Sequence, residues 1–220
     1  FPPELTFNLA WQYMQKANSP FFLWVHVFTP HDPYLPVDRF KKQFLQEDFL
    51  LSASEQVVLF KEAVYPYPKE LQPQIDKLRL RYDEHILYTD HEFGVFLNKL
   101  RQGGFLDTSI VVVSADHGES FNHGYLSHGG PTLHNDLIHI PLIIHTPKQQ
   151  HHRKISQTAE QVDITPTIMD LLKIDIPPWL EGKSVKKAMD NQATSNKPIF
   201  SMNLDGNYIR GQLKKGTVAV

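Results

Sequence analysis

Several short stretches of this sequence combine residue types that can do chemistry. One is Ser114-Ala115-Asp116-His117-Gly118-Glu119, which follows the apolar run Ile110–Val113. An Asp and a His side by side at the end of a strand offer one oxygen and one nitrogen to a cation. In open α/β sheets, ligands gather beyond the carboxyl ends of the strands. Gly118 lets the backbone turn behind the pair, and Glu119 is placed to orient His117 as an outer-shell partner. On local pattern alone, an Asx turn with a capping Asp accounts for these residues equally well. His31, in Thr29-Pro30-His31-Asp32-Pro33-Tyr34, also follows an apolar run, Phe21–Phe28. His123, His128 and His134 stand on or beside the Gly-, His-, Asn- and Ser-rich loop 115–131. Taken singly, each of these histidines reads as an ordinary loop residue. Converging beside a cation, they would make a basic pocket suited to a tetrahedral oxyanion. His151-His152, flanked by Gln149, Gln150 and Arg153, read as solvent-exposed.

The elements that must position these groups can be read from periodicity. Residues 5–17 carry Leu5, Leu9, Trp11, Tyr13 and Met14 among polar residues, which predicts a short helix stopped by Asn18-Ser19-Pro20. Phe21–Phe28 is short, aromatic and β-branched, and predicts a central strand covered on both faces. Ser52-Ala53-Ser54-Glu55 has the form of a capping box opening a helix to about residue 63, and Tyr65-Pro66-Tyr67-Pro68 breaks it. From Pro73 to Leu100, Ile75, Leu78, Tyr82, Ile86, Phe93, Leu97 and Leu100 recur at helical spacing, with Gly103-Gly104 as the stop. Asp90 falls on that stripe and is expected to be hydrogen-bonded or paired as an anchor.

Residues 108–114 predict a strand, and so do residues 138–144. Thr165-Pro166 reads as an N-cap followed by Pro at the first helical position, opening a helix through Leu172. After Lys197 come short strands, with Asp205-Gly206-Asn207 as a turn. This alternation predicts the α/β class, with a long helix serving as the crossover between parallel strands. If the strands ending near His31 and Asp116 are parallel neighbours, the two residues emerge on one edge of the sheet.

Composition excludes several classes. The formal net charge of −2 leaves no basic footprint for nucleic acid. The apolar runs are too short to span a bilayer. No cysteine is present, so disulfides, thiolate metal sites and a cysteine nucleophile within these residues are ruled out. Gly-x-Ser-x-Gly is also absent, and Ser120 lies too close in sequence to Asp116 and His117 to form a triad with them. The chain starts at Phe1 and ends in the strand-like Thr217-Val218-Ala219-Val220, which reads as a fragment or processed product.

Pro20-Phe21-Phe22-Leu23-Trp24-Val25-His26 with Pro30-His31-Asp32-Pro33-Tyr34 resembles the sulfatase family of the alkaline phosphatase superfamily. The resemblance continues in order through Tyr82-Asp83-Glu84, Thr89-Asp90 and Gly94, then Thr108 to Glu119, His123-Gly124, His128-Gly129-Gly130 and His139-Ile140-Pro141-Leu142-Ile143-Ile144. Val162-Asp163-Ile164-Thr165-Pro166-Thr167 and Gly182-Lys183-Ser184 close it. Any one of these motifs is weak, whereas the ordered set over residues 20–185 is specific.

The resemblance implies a mostly parallel central sheet flanked by helices, alkaline-phosphatase-like and partial, over residues 1–185. A small β-rich segment would follow over residues 186–220. It implies a metal-dependent hydrolase of sulfate or phosphate esters, with Asp116 and His117 as late metal ligands. His31 would contact the sulfate or phosphate group, and His128 would stand near the leaving-group oxygen as general acid. His123 would be a further pocket residue. The cofactor would be one divalent ion, Ca²⁺, Mg²⁺, Mn²⁺ or Zn²⁺, and the nitrogen ligand favours the last two.

The family's early Asp pair and its Cys- or Ser-x-Pro-x-Arg nucleophile motif are not in this chain. The formylglycine, Thr or Ser nucleophile is therefore expected upstream, in an N-terminal half of the same domain that would be this chain's partner. A homo-oligomer and an extracytoplasmic parent are further expectations from the family. Asp-His at 116–117 is shared with phosphonate hydrolases and with phosphoethanolamine or glycerophosphate transferases of the superfamily. A non-catalytic fragment or pseudoenzyme module is the alternative of another class.

Overall fold

The structure is a computed structural model that describes residues 2–130, 132–149, 151–192, 198–204 and 216–220. The chain forms two compact units. The first comprises residues 1–108 and 119–128, the second residues 109–118 and 129–220.

The first unit is helical. Helix α1 (Pro3–Lys16) begins with Pro at its first turn, Glu4 near its N-terminus and Lys16 near its C-terminus, each where the backbone dipole favours it. Helix α2 (Ala53–Glu62) opens on the capping box read from the sequence. The Ser52 side chain accepts from the Glu55 N–H, and the Glu55 carboxylate accepts from the Ser52 N–H at 2.8 Å. Helix α3 (Gln72–Gln102) is the long element and packs on α1. Phe7 meets Phe93 and Phe96 with ring centroids 5.7 and 5.1 Å apart, and Trp11 meets Phe105 edge-on. Tyr34, Leu59, Ala63, Tyr67, Ile75, Leu78, Phe121 and Leu126 form the core cluster between α2, α3 and the loops.

The buried face of α3 differs from the apolar stripe. Ile86 is 43% exposed and Asp90 is exposed, so Asp90 is not the buried anchor expected. That role falls to Arg81 and Glu84, 1% and 3% exposed. Arg81 donates to Glu84 Oε2 at 2.7 Å and to the Glu47 carbonyl at 3.2 Å. Glu84 Oε1 accepts from the backbone N–H groups of Gln43, Phe44 and Leu45. The pair thereby fastens loop 43–47 to the helix. Its two charges pass into the interior paired with each other. The guanidinium's two terminal nitrogens and the second carboxylate oxygen are bound to loop 43–47 or to the partner, while Arg81 Nε is left without a hydrogen bond.

Phe21–Phe28 is extended, but it joins no ladder among the described residues. Its burial alternates: Leu23 and Val25 are half-buried, while Phe22 and Trp24 are 74% and 77% exposed. The expectation of a strand covered on both faces is corrected to one covered face. The apolar pattern fixes an extended backbone, but a strand also needs a neighbour to accept its hydrogen bonds.

In the second unit, β1 (Val111–Ser114) is followed by one helical turn, α4 (Asn135–Ile138), and by β2 (Leu142–His145). β1 and β2 pair antiparallel with Ser114 opposite Leu142, and Ser114 Oγ donates to the Pro141 carbonyl. Helix α5 (Ile164–Leu171) starts one residue before Thr165-Pro166, so Thr165 is not its N-cap. The preceding Asp163 is 1% exposed and spends its carboxylate on the N–H groups of Glu160 and Lys183, at 2.9 and 2.7 Å. Thr167 Oγ1 donates to the Asp163 carbonyl and accepts from the Val185 N–H. Segment 183–185 is thus pinned to α5, ahead of the short α6 (Lys186–Met189).

β3 (Ser201–Asn203) and β4 (Thr217–Ala219) pair antiparallel. The turn at Asp205-Gly206-Asn207 lies outside the described residues. The ladders among the described residues are both antiparallel and two-stranded, so these residues do not form the mostly parallel central sheet. The chain between β1 and β2 folds back through a loop and one helical turn, which brings β2 in against the direction of β1.

Two outcomes follow from the buried polar groups on α3. Glu84→Ala leaves the buried guanidinium without its counter-charge and three N–H groups without an acceptor, and should cost about 3–5 kcal/mol in urea unfolding. His85 is 8% exposed and donates from Nε2 to the Leu35 carbonyl. Desolvation holds its pKa below the ordinary 6.5. The unfolded chain then binds the proton first on acidification. The stability that His85 contributes is complete above 6.5 and lost as pH falls toward its lower folded value. His85→Gln should flatten that part of the urea-midpoint pH profile, and an unchanged profile would remove His85 from the account.

Candidate functional site

The loop between the two Pro residues at 30 and 33 is fixed from below by Tyr34, which is wholly buried. Gln56, on α2 and 1% exposed, accepts from the Tyr34 N–H at 2.8 Å. It donates to the Tyr34 and Leu50 carbonyls, both at 3.0 Å. One amide side chain therefore replaces the ladder bonds that this buried backbone lacks. The Tyr34 ring stands edge-on to Tyr82 at 5.4 Å and tilts against Phe121 at 6.0 Å. Just upstream, His31 stacks on Phe28 at 4.4 Å. Its Nδ1 donates to the Asp32 carbonyl at 2.8 Å and lies 3.0 Å from Asp32 Oδ1.

Loop 119–128 closes on itself. Ser120 and Ser127 exchange backbone hydrogen bonds of 3.2 and 3.1 Å, and Phe121, Tyr125 and Leu126 are buried. Gly124 turns the loop at φ 73°, and its carbonyl accepts from the Tyr67 N–H. A bridge at Ser120 and Ser127 sets the residues just outside it, Glu119 and His128, side by side. His128 Nδ1 donates to Glu119 Oε2 at 2.8 Å. The His128 ring lies 4.9 Å from that of His31, edge-on. His31, Asp32 and His128 each offer a donor atom, and these atoms lie within 4.8 Å of one another.

Glu119 is the buried member of this group. Its carboxylate side chain is 5% exposed, against 21% for His128. Burial raises its pKa above the ordinary carboxylate value, and the hydrogen bond and charge of His128 oppose that rise. The Tyr34 phenol is pushed well up, first by burial and then by the Glu119 charge, and Tyr82 is pushed up to about 12 for the same two reasons. Glu119 Oε1 and the Tyr34 hydroxyl are both buried without completing a hydrogen bond of good geometry.

In the second unit, Asp116 and His117 are exposed just beyond β1. Asp116 Oδ1 accepts from the His117 N–H at 3.0 Å, and Asp116 Oδ2 lies 3.6 Å from His117 Nε2. Gly118 donates to the Leu137 carbonyl, and a Cβ there would sit 2.0 Å from the Asp136 carbonyl oxygen. Gly118 is thus required for close approach of the backbone. An oxygen and a nitrogen donor, solvent-facing and 3.6 Å apart, fit two positions of a divalent coordination shell.

The structure brings His31 and His128 together. His123 is an exposed turn residue at φ 60° and is not in that donor cluster. Glu119 holds His128, because the Ser120–Ser127 bridge sets the two side by side. Asp32, Tyr34 and Gln56 were missed as members of the site. The flanking Pro residues at 30 and 33 signal a constrained loop, but nothing local signals that Gln56 is buried.

The family model described as Sulfatase matches residues 3–174. The chain is 27% identical over 219 residues to arylsulfatase K of Xenopus laevis, covering 87% of this chain and 40% of that protein. It is 26% identical over 195 residues to an arylsulfatase of Clostridium perfringens, covering 81% and 39%. The chain thus spans about two fifths of the length of these curated relatives. Among solved structures it is similar to the phosphonate monoester hydrolase of Agrobacterium radiobacter, with a TM-score of 0.74, 19% identity, and coverage of 93% of this chain and 45% of that one. It is also similar to a protein in complex with its substrate D-glucosamine-2-N,6-O-disulfate, with a TM-score of 0.65, 18% identity, and coverage of 92% and 55%. These two structural likenesses show the fold, that of the alkaline-phosphatase-like sulfatases.

The Gln56 clamp and the Tyr34 hydroxyl make opposite predictions. Gln56→Leu orphans the two buried backbone groups of Tyr34 and the half-buried Leu50 carbonyl, and should cost about 2 kcal/mol or more, at roughly 1 kcal/mol or more for each buried group. Tyr34→Phe removes a hydroxyl that has no good hydrogen bond and should change stability by under about 1 kcal/mol. Urea denaturation of the two variants checks both, and equal losses would contradict the clamp.

Proposed function

Because the chain belongs to the sulfatase family, whose model covers residues 3–174, we propose that it is part of a metal-dependent hydrolase of sulfate or phosphate esters. The observation that carries this reading is the pair of imidazoles at His31 and His128, with ring centroids 4.9 Å apart and the second ring held by a buried carboxylate. In this reading His31 binds the anionic group of the ester. His128 approaches the leaving-group oxygen and delivers a proton to it as general acid, its ring fixed by Glu119. His123 is a further substrate-binding residue.

Asp116 and His117 contribute two ligands to one divalent ion, Ca²⁺, Mg²⁺, Mn²⁺ or Zn²⁺. Such an ion, when bound, supplies electrostatic stabilisation to the charge that develops on the ester oxygens. The nucleophile, a formylglycine, Thr or Ser, is assigned to sequence outside these residues. An N-terminal portion of the same domain is the partner that supplies it, and the isolated chain turns over no ester. Sulfated sugars and phosphonate monoesters are the two substrate classes to compare, since a structural neighbour is associated with each. An extracytoplasmic location belongs to the same proposal. Among the described residues, no helix is long and apolar enough to cross a membrane.

The test uses the chain together with its upstream sequence and an aryl sulfate and a phosphonate monoester as substrates. Asp116→Asn should abolish turnover, and His128→Ala should lower kcat by about 10²–10⁴-fold. The loss in His128→Ala should be smaller for an ester whose leaving group needs no proton. Turnover and metal content retained in Asp116→Asn would overturn the assignment.

A further inference from the structure

Asp32 has no part in the ester-binding reading and works against it. Its carboxylate stands 3.0 Å from the His31 ring, and the second carboxylate, Glu119, lies 2.8 Å from the His128 ring. Two imidazoles that share their surroundings with two carboxylates attract a cation at least as readily as an anion. The first unit therefore contains a donor set whose charge is unexplained by an anionic ligand.

We propose that His31, Asp32 and His128 bind a divalent transition-metal ion of the Zn²⁺ class, at a site separate from the Asp116–His117 pair. The donor atoms lie within 4.8 Å of one another. Zn²⁺ bonds to N and O donors are about 2.0–2.1 Å long, so the three atoms need only draw together around the ion. The His31, Asp32 and His128 side chains are 35%, 37% and 21% exposed, which leaves them room to turn. Two nitrogens and one oxygen favour Zn²⁺, Co²⁺ or Ni²⁺ over the all-oxygen preference of Ca²⁺ and Mg²⁺. Glu119 completes the arrangement. A metal-bound imidazole commonly donates its other ring N–H to a carboxylate, which fixes the tautomer and aims the ring, and Glu119 accepts from His128 Nδ1 in that manner. Three side-chain ligands leave a coordination position open to water or to an anion.

The proposal shares His31 and His128 with the ester-binding reading and rests on it only in one consequence: Zn²⁺ and the ester's anionic group compete for the two rings. The direct test is calorimetric titration of the 220-residue chain with ZnCl₂, and absorption spectroscopy with Co²⁺ as the visible probe. One Zn²⁺ should bind tightly, since the Asp116–His117 pair offers two side-chain ligands against three here, and Co²⁺ should give the d–d bands of a low-coordinate N/O site. Affinity should fall at least tenfold in His31→Gln, in His128→Gln and in the isosteric Asp32→Asn. It should be unchanged in His151→Ala/His152→Ala and in Asp116→Asn. Circular dichroism checks that each variant is folded, and Asp32→Asn keeps the test decisive if a histidine variant fails that check.

Zn²⁺ binding as tight in the folded Asp32→Asn and His128→Gln variants as in the parent overturns the proposal, and so does loss of the site in Asp116→Asn alone. Sodium sulfate as a second titrant separates this from the ester reading. Sulfate binding that depends on His31 and His128, in a chain that takes no Zn²⁺, removes the metal site and keeps the ester reading. Zn²⁺ binding that sulfate does not disturb keeps the metal site and counts against the ester reading.

Discussion

The candidate site of the first unit depends on how Tyr34 is buried. A tyrosine ring removed wholly from water gains about 2–3 kcal/mol from its apolar area, more than any single hydrogen bond around it, at about 1 kcal/mol. Burial therefore decides that the ring enters the core beside Tyr82 and Phe121. The polar contacts decide how. Gln56 binds the Tyr34 backbone on both its N–H and its carbonyl, so the segment can enter in one register only. His31 and Asp32 stand just upstream and are carried to their places by that register. The chemistry sits on a loop, but the loop is tied to a packed core within a few residues of the groups that matter.

The same core sets the electrostatics. Glu119 is drawn into it by the closure of loop 119–128, whose buried Phe121 and Leu126 belong to the core cluster. A carboxylate in such surroundings loses hydration, and its pKa rises for that reason before any neighbour acts. His128 recovers part of the loss through one hydrogen bond. The net effect is mutual: the buried carboxylate has a strong reason to keep His128 beside it, and His128 gains a fixed orientation. Tyr34, placed by apolar packing, meets the same carboxylate and is held neutral.

Much of the local structure was legible in the sequence. The Ser52–Glu55 capping box and the span of α3 rest on interactions between residues a few positions apart, which spacing records directly. The strand at 111–114 was legible from its run of β-branched residues, although its ladder partner lies at 142–145. The pairing of His31 with His128 was legible through the ordered family motifs and not through periodicity. Other features depend on what a polar residue meets across the fold. Arg81 and Glu84 lie on the buried face of α3 and Asp90 does not, although hydropathy treats all of them alike. What separates them is loop 43–47, whose N–H groups need a carboxylate at Glu84. Gln56 and Glu119 belong to the same class, since their partners are a loop and a bridge that no local window contains. Phe21–Phe28 marks the other limit: its pattern specifies an extended chain, while ladder formation is a property of the neighbour.

Within the first unit, exposure rises in the order Tyr34, Glu119, His128, His31, Asp32. This order assigns work. A ligand arriving from water meets Asp32 and the two imidazoles first, so these are the groups that can change partners. Glu119 and Tyr34 are closed off behind them, and a group without access to the ligand can affect it only by orienting one that has access. The orienting contact is also the less replaceable one, because a buried carboxylate that lost His128 would keep its desolvation cost with nothing to offset it. The precision of the site is therefore stored in its buried half, and its choice of ligand is made in the exposed half. The charge that selects between an anion and a cation is set there, by two imidazoles and a carboxylate that stands 3.0 Å from one of them.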